Sequence, residues 1–261
     1  MRRGVLLVAH GTRVPAGVLA AICFAEGVAN RLKAQNPLWE NALCRLAFLE
    51  ISTPDIYAVA TQMYQQEGIR ELYILPLLLL SAGHALADLP RIIDDIQRDC
   101  PHLRVRMSSP LNDHERLVKI YQQHIHDALQ QESGIDALLF VNRGSSYPHS
   151  YRIFQQIVQQ TSASFPDLKK TSAFFAGLGA GLSRAFHRLE KSGVRECLVL
   201  PHLLFPGRLS AQLDRQLKEW AMGHAHLHFR SAPLLGESEE LMDVYAKQIV
   251  LFSLRRAVQT V

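Results

Sequence analysis

The sequence predicts an α/β protein built twice over: two similar domains, each a four-stranded parallel sheet flanked by helices. Three observations predict this. Short runs of β-branched and aliphatic residues alternate with amphipathic stretches along all 261 residues, and regular alternation implies right-handed crossovers and a parallel sheet covered on both faces. The pattern restarts halfway. The string Gly68-Ile-Arg-Glu-Leu-Tyr-Ile-Leu-Pro76 returns as Gly193-Val-Arg-Glu-Cys-Leu-Val-Leu-Pro201, keeping its glycine, arginine, glutamate, leucine and proline. The length agrees, since about 100 to 200 residues make one domain.

Taken in order, the first half reads as a strand at Val5 to Ala9 followed by a helical stretch from Pro15 to Ala34. A second strand, Leu43 to Leu49, leads to a helix over Pro54 to Glu67, for which Ser52 or Thr53 is the natural N-cap. Leu72 to Leu79 with Leu86 to Asp99, then Val105 to Met107 with a helix from about Asp113 to Gln131, complete the first set. In the second half, Ala137 to Val141, Lys170 to Phe175, Glu196 to Leu204 and Leu227 to Phe229 read as strands, each followed by a helical stretch. Pro110-Leu111 with Leu117 and Tyr121 is answered by Pro233-Leu234 with Leu241 and Tyr245. With Gln130 to Gly134 as linker, the predicted domains are residues 1–132 and 133–261.

Composition narrows the function. Hydrophobic residues at 48% and charged residues at 20% describe a folded globular chain and exclude extensive disorder or a coiled coil. Lys and Arg total 28 against 24 Asp and Glu, a net +4 spread along the chain. Nucleic-acid binding is therefore not indicated, whereas a small polyanionic ligand is compatible. Four cysteines without a CxxC pair read as reduced, packed thiols. The apolar run after Arg2-Arg3 stops at His10, too short for a signal peptide. Leu72 to Ala82 is interrupted by Pro76 and falls short of the roughly 20 residues of a membrane span. A cytoplasmic protein without a membrane anchor is the expectation.

Ligands of open parallel sheets bind outside the carboxyl ends of the strands. His10 follows the first strand, Glu50 closes the second, and His84 follows the third after Ser81-Ala82-Gly83. Two imidazoles and a carboxylate on one rim suit a divalent transition metal, and they also suit proton abstraction near neutral pH. Gly11 and Gly83, beside the two histidines, would let a ligand approach the backbone. The second half lacks these donors: Arg143 aligns with His10, Gly177 with Glu50, and Arg208 or Leu209 with His84. Arg13, Arg143 and Arg208 are candidates for holding carboxylates, because guanidinium pairs with them bidentately. His224-Ala-His226-Leu-His228 would place three rings on one side of a strand, away from that rim, and reads as incidental surface histidines. Neither GxGxxG nor GxxxxGK[ST] is present, so no nucleotide cofactor is expected.

The segments Leu6-Leu7-Val8-Ala9-His10-Gly11-Thr12-Arg13, Phe48-Leu49-Glu50, and Leu75-Pro76 through Gly83-His84 with Asp88-Leu89-Pro90 resemble the class II chelatases of the sirohydrochlorin cobaltochelatase and ferrochelatase family. The resemblance spans the whole chain in a long, two-domain form. It implies an enzyme that inserts a divalent metal (Fe2+, Co2+ or Ni2+) into sirohydrochlorin, toward sirohaem or cobalamin, without a nucleotide cofactor. It also implies an active-site cleft between the domains, in a monomer or a homodimer. His10, Glu50 and His84 match the family's metal-binding and catalytic positions. Ser81, Gly83 and the three arginines join the expected substrate-binding set. Thr12 stands where the family usually has serine, and the second half departs from the pattern by carrying no histidine at these positions. The alternatives are a protoporphyrin ferrochelatase, which a comparison of tetrapyrroles would separate, and a non-catalytic metal or tetrapyrrole carrier, which would bind without turnover.

Overall fold

A computed structural model of the chain describes residues 2–79, 84–111 and 114–254; the side chains of 84–87 lie outside that description. The elements run β1 (Arg3–Ala9), α1 (Pro15–Gln35), β2 (Leu43–Phe48), α2 (Ile56–Gln65), β3 (Glu71–Pro76), α3 (His84–Asp99), β4 (Arg104–Met107) and α4 (His114–Gln131). Then come β5 (Ala137–Asn142), α5 (Pro148–Ala163), β6 (Lys169–Phe174), α6 (Leu182–Lys191), β7 (Glu196–His202), α7 (Arg208–Gly223), β8 (His228–Ser231) and α8 (Glu239–Leu254). They form two four-stranded sheets with strand orders β2-β1-β3-β4 and β6-β5-β7-β8, every pairing parallel. The predicted fold class is the observed one.

The central strands explain the patterning. Six consecutive residues of β1, Gly4 to Ala9, are buried, as are all six of β5. A strand covered on both faces needs apolar residues at every position rather than at alternate ones. Leu6 and Val8 point into a core with Ile56, Val59, Ala60 and Met63 of α2 and Leu89 and Ile96 of α3. Val5 and Leu7, on the opposite face, are equally buried. The edge strands β4 and β8 are short and carry Arg104, Arg106, His228 and Arg230, residues that discourage edge-to-edge pairing. Pro15 and Pro148 open α1 and α5 at the position where a missing N–H costs nothing.

Helix α2 is capped by Asp55, whose carboxylate accepts the Ala58 N–H at 2.8 Å. This corrects the expected Ser52 or Thr53 cap: the helix starts later, and Ser52 is engaged elsewhere. The start of β8 at His228 leaves His226 in a turn, so the expected alternation of three histidines along one strand does not occur. Cys100 and Cys197 are packed in the cores, Cys44 is half-buried, and Cys23 is exposed rather than packed. No helix among the described residues is long and apolar enough to cross a membrane.

Compact units and sequence repeats do not coincide. One unit comprises Met1–Asn112 with Glu239–Val261, the other Asp113–Ser238, in place of a division at residue 132. The last helix of each repeat is the reason. In the first unit, α8 lies along α1: Tyr245 meets Phe24 edge-on at 5.6 Å, and Arg31 binds Glu239 and Asp243 at 3.0 and 3.2 Å. In the second, α4 lies along α5, where Tyr121 packs edge-on to Phe140 at 5.8 Å and Gln122 donates to Ser164 at 2.8 Å. The equivalent tyrosines repeat the exchange. Tyr245 Oη donates to the Leu78 carbonyl, and Tyr121 Oη reaches Pro201 and His202.

Candidate functional site

At the carboxyl ends of β1 and β2 the parallel ladder continues one step beyond the strands. The Leu49 N–H donates to the Ala9 carbonyl at 2.9 Å and the Glu50 N–H to the His10 carbonyl at 3.1 Å. That register sets two adjacent loops side by side. His10 Nε2 stands 3.2 Å from Glu50 Oε1, with the two side chains 37% and 56% exposed. A carboxylate only accepts, so the proton of this contact resides on Nε2. An imidazole held this way, yet partly open to solvent, is a group that can exchange the Nε2 proton and, once that proton has left, offer Nε2 to a metal.

Gly11 and Ser52 bring the two loops together. Gly11 has φ +100°, and a Cβ built on it would lie 1.9 Å from the Glu50 carbonyl oxygen. The expectation that this glycine admits a ligand is therefore corrected: it admits the neighbouring chain. The Ser52 hydroxyl accepts the Thr12 N–H at 2.9 Å and donates to the Thr12 carbonyl at 2.8 Å, tying the two loops twice. Thr12 Oγ1 in turn accepts the Val14 N–H at 3.1 Å, just ahead of α1. Between Glu50 and Ser52, Ile51 sits at φ +70°, which a β-branched residue adopts only when its surroundings dictate it.

His84 is the first residue of α3, so its backbone follows β3 on the same sheet end. Its side chain, together with Ser81 and Gly83, lies outside the described residues. Among the described residues no group of three or more histidine, cysteine, aspartate or glutamate side chains is set ready to hold a metal ion.

The second unit repeats this framework with other side chains. The Ala176 N–H donates to the Arg143 carbonyl at 3.1 Å, as Glu50 does to His10, and a Cβ on Gly144 would lie 1.8 Å from the Ala176 oxygen. Ala176, not Gly177, thus occupies the place of Glu50; aligning the strands by sequence alone slipped by one residue. Arg208 opens α7 as His84 opens α3. Arg143 and Arg208 are exposed in the second unit and Arg13 in the first, and none forms an ion pair among the described residues.

One polar residue of this end escaped the sequence reading. His202 closes β7 fully buried, its Nδ1 2.8 Å from Tyr121 Oη and its ring 5.1 Å from that of Phe154. Burial, reinforced by His114 nearby, lowers its pKa to about 3, so it is a neutral core imidazole. The signal was available: His202 follows the repeated Leu-Pro where the first copy has Leu77.

The molecule is thus a duplicated α/β protein in which one copy carries a histidine–carboxylate pair at its sheet rim. The CbiX family model matches it twice, over residues 4–128 and 137–250. The chain belongs to the CbiX family. A sirohydrochlorin ferrochelatase of Priestia megaterium is 28% identical over 245 residues, covering 94% of this chain and 88% of that protein. A sirohydrochlorin cobaltochelatase of the same organism is 24% identical over 251 residues, covering 93% and 77%. The solved structure of SirB from Bacillus subtilis with Fe3+ superposes with a TM-score of 0.81 at 24% identity, over 99% of this chain and 98% of that one. That likeness is one of fold.

Proposed function

We propose that this protein is a chelatase that inserts a divalent metal, iron or cobalt, into sirohydrochlorin. The His10–Glu50 pair at 3.2 Å, on the sheet rim of a CbiX-family chain, carries the reading. The relatives' names divide between iron and cobalt, and imidazole with carboxylate accepts either, so supply and geometry select the ion.

Metallation replaces two pyrrole N–H protons with one divalent ion. The ion must shed water and both protons must find an acceptor. Glu50 takes up the Nε2 proton of His10, which frees that nitrogen to receive a pyrrole proton and pass it outward or to meet the incoming metal. In this reading His84 is the second imidazole, brought to the same end by the start of α3. Sirohydrochlorin carries several carboxylates around an apolar ring, and Arg13, Arg143 and Arg208, with no ion pair among the described residues, are guanidinium groups that suit them. Four free cysteines, one of them exposed, fit a reducing compartment such as the cytoplasm.

The test is metal insertion followed by the absorbance change of the tetrapyrrole. His10→Ala and His84→Ala each lower the rate at least about a hundredfold, the upper part of the range for a positioned proton acceptor being larger still, with circular dichroism unchanged. Full activity in the double variant overturns the assignment.

A further inference from the structure

A cluster of imidazoles around one carboxylate lies in the other unit. Glu190 stands in the last turn of α6, and three histidines face its carboxylate: His187 Nδ1 at 3.7 Å, His224 Nε2 at 3.5 Å and His226 Nε2 at 3.6 Å. His187 shares α6, His224 ends α7, and His226 lies in the turn before β8. In a parallel sheet the helix ends lead into the strands at their amino ends, so this cluster sits opposite to the end that bears Arg143 and Arg208.

The distances are informative. All three exceed those of a good N–H···O bond, about 2.7 to 3.2 Å. They match the separation of neighbouring ligands around one ion whose bonds are about 2.0 to 2.2 Å. His224 adds an independent constraint. Its Nδ1 lies 3.0 Å from the Trp220 carbonyl, and its ring stacks on the indole at 4.2 Å with 5° between the planes. A carbonyl only accepts, so Nδ1 carries a proton. With Nδ1 so engaged, Nε2 is the nitrogen that faces the carboxylate, and a metal cation there, like a proton, would satisfy both groups. A histidine whose far nitrogen donates to a backbone carbonyl is the common supporting arrangement around a bound metal.

We propose that His224, His226 and Glu190, with His187 beside them, form a second site for an imidazole-preferring divalent transition ion such as Co2+, Ni2+ or Zn2+. No three of these donors are set ready around one point. His224 and Glu190 are the fixed pair. The exposed rings of His187 and His226 turn to complete the shell when the ion arrives, so binding ties α6 to the connection between α7 and β8.

The site is tested apart from the rim. In the full-length chain carrying His10→Ala and His84→Ala, freed of metal, Co2+ alone is titrated and read by calorimetry and by its visible ligand-field spectrum. One equivalent binds with a spectrum of nitrogen and oxygen ligation. Adding His224→Ala with His226→Ala weakens binding more than about tenfold, a loss seen even when only a supporting residue of a metal site is changed. Glu190→Gln, which leaves every ring in place, gives the second reading and weakens binding by a similar factor. Absence of Co2+ binding to the rim-silenced chain overturns the proposal, as does binding that neither set of changes weakens. Loss of tetrapyrrole metallation in the rim variants bears on the function proposed above and leaves this result independent.

Discussion

Replacing Gly11 with alanine should damage stability and the rim pair together. Two costs combine. At φ +100° an L-residue with a Cβ loses about 1 to 2 kcal/mol. The new methyl group would also lie 1.9 Å from the Glu50 carbonyl oxygen, so one loop must move. Moving it breaks the 3.1 Å bond from the Glu50 N–H to His10, a further cost of about 1 kcal/mol. The sum is about 2 to 3 kcal/mol. Gly68 supplies the control: its φ is +68° but nothing lies within 4 Å of a Cβ there, so Gly68→Ala should cost only the conformational part, about 1 kcal/mol. Gly144→Ala, 1.8 Å from the Ala176 oxygen, should destabilise like Gly11→Ala. Urea unfolding followed by far-ultraviolet circular dichroism ranks the three. Metal insertion should fall steeply for Gly11→Ala and hold for Gly68→Ala. A Gly11→Ala protein as stable and as active as Gly68→Ala would refute the reasoning that the glycine exists to bring His10 and Glu50 together.

Ser52→Ala removes both bonds to Thr12, at 2.9 and 2.8 Å, and should cost about 1 to 2 kcal/mol in the same unfolding assay; Ser52→Thr, which keeps the hydroxyl, should recover most of it. Acid should weaken the fold through His202. Its pKa, about 3 in the fold through burial and the neighbouring His114, lies below the ordinary value of about 6.5 in the unfolded chain. The neutral ring therefore stabilises in full above about pH 6.5, and that stability drains away as the pH falls toward 3. Between pH 7 and pH 4.5 the loss is about 3 kcal/mol. His202→Gln, which retains a hydrogen-bonding group toward Tyr121 without titrating, should flatten this part of the pH profile; an unchanged profile would assign the acid sensitivity to other groups.

The fold was legible because its signals are local. An unbroken apolar run such as Gly4 to Ala9 has few uses except as a strand covered on both sides, and the repeated Gly-x-Arg-Glu-x-x-x-Leu-Pro string marks equivalent strands in both copies. His10 and Glu50 were legible as a pair because residues that end adjacent parallel strands share a rim. Other assignments failed for want of register. Counting along the chain pairs Gly177 with Glu50, whereas the ladder beyond β6 puts Ala176 there. Ser52 looks like a cap because it precedes a helix; its bonds to Thr12, forty positions earlier in the chain, cannot be read from neighbours.

What the sequence determined by itself, then, was the duplicated α/β framework and the histidine and carboxylate that share one rim, since periodicity and residue type act over a few positions. Tertiary structure alone decided which helix closes which unit. Helices α4 and α8 each carry an apolar face that either copy's helices could cover, and nothing local says which one will. It likewise decided the meaning of His202 and His224. An imidazole is a core ring, a metal ligand or a surface group according to what lies against its two nitrogens, and the deciding neighbours, Tyr121 for His202 and Glu190 for His224, come from other elements of the fold.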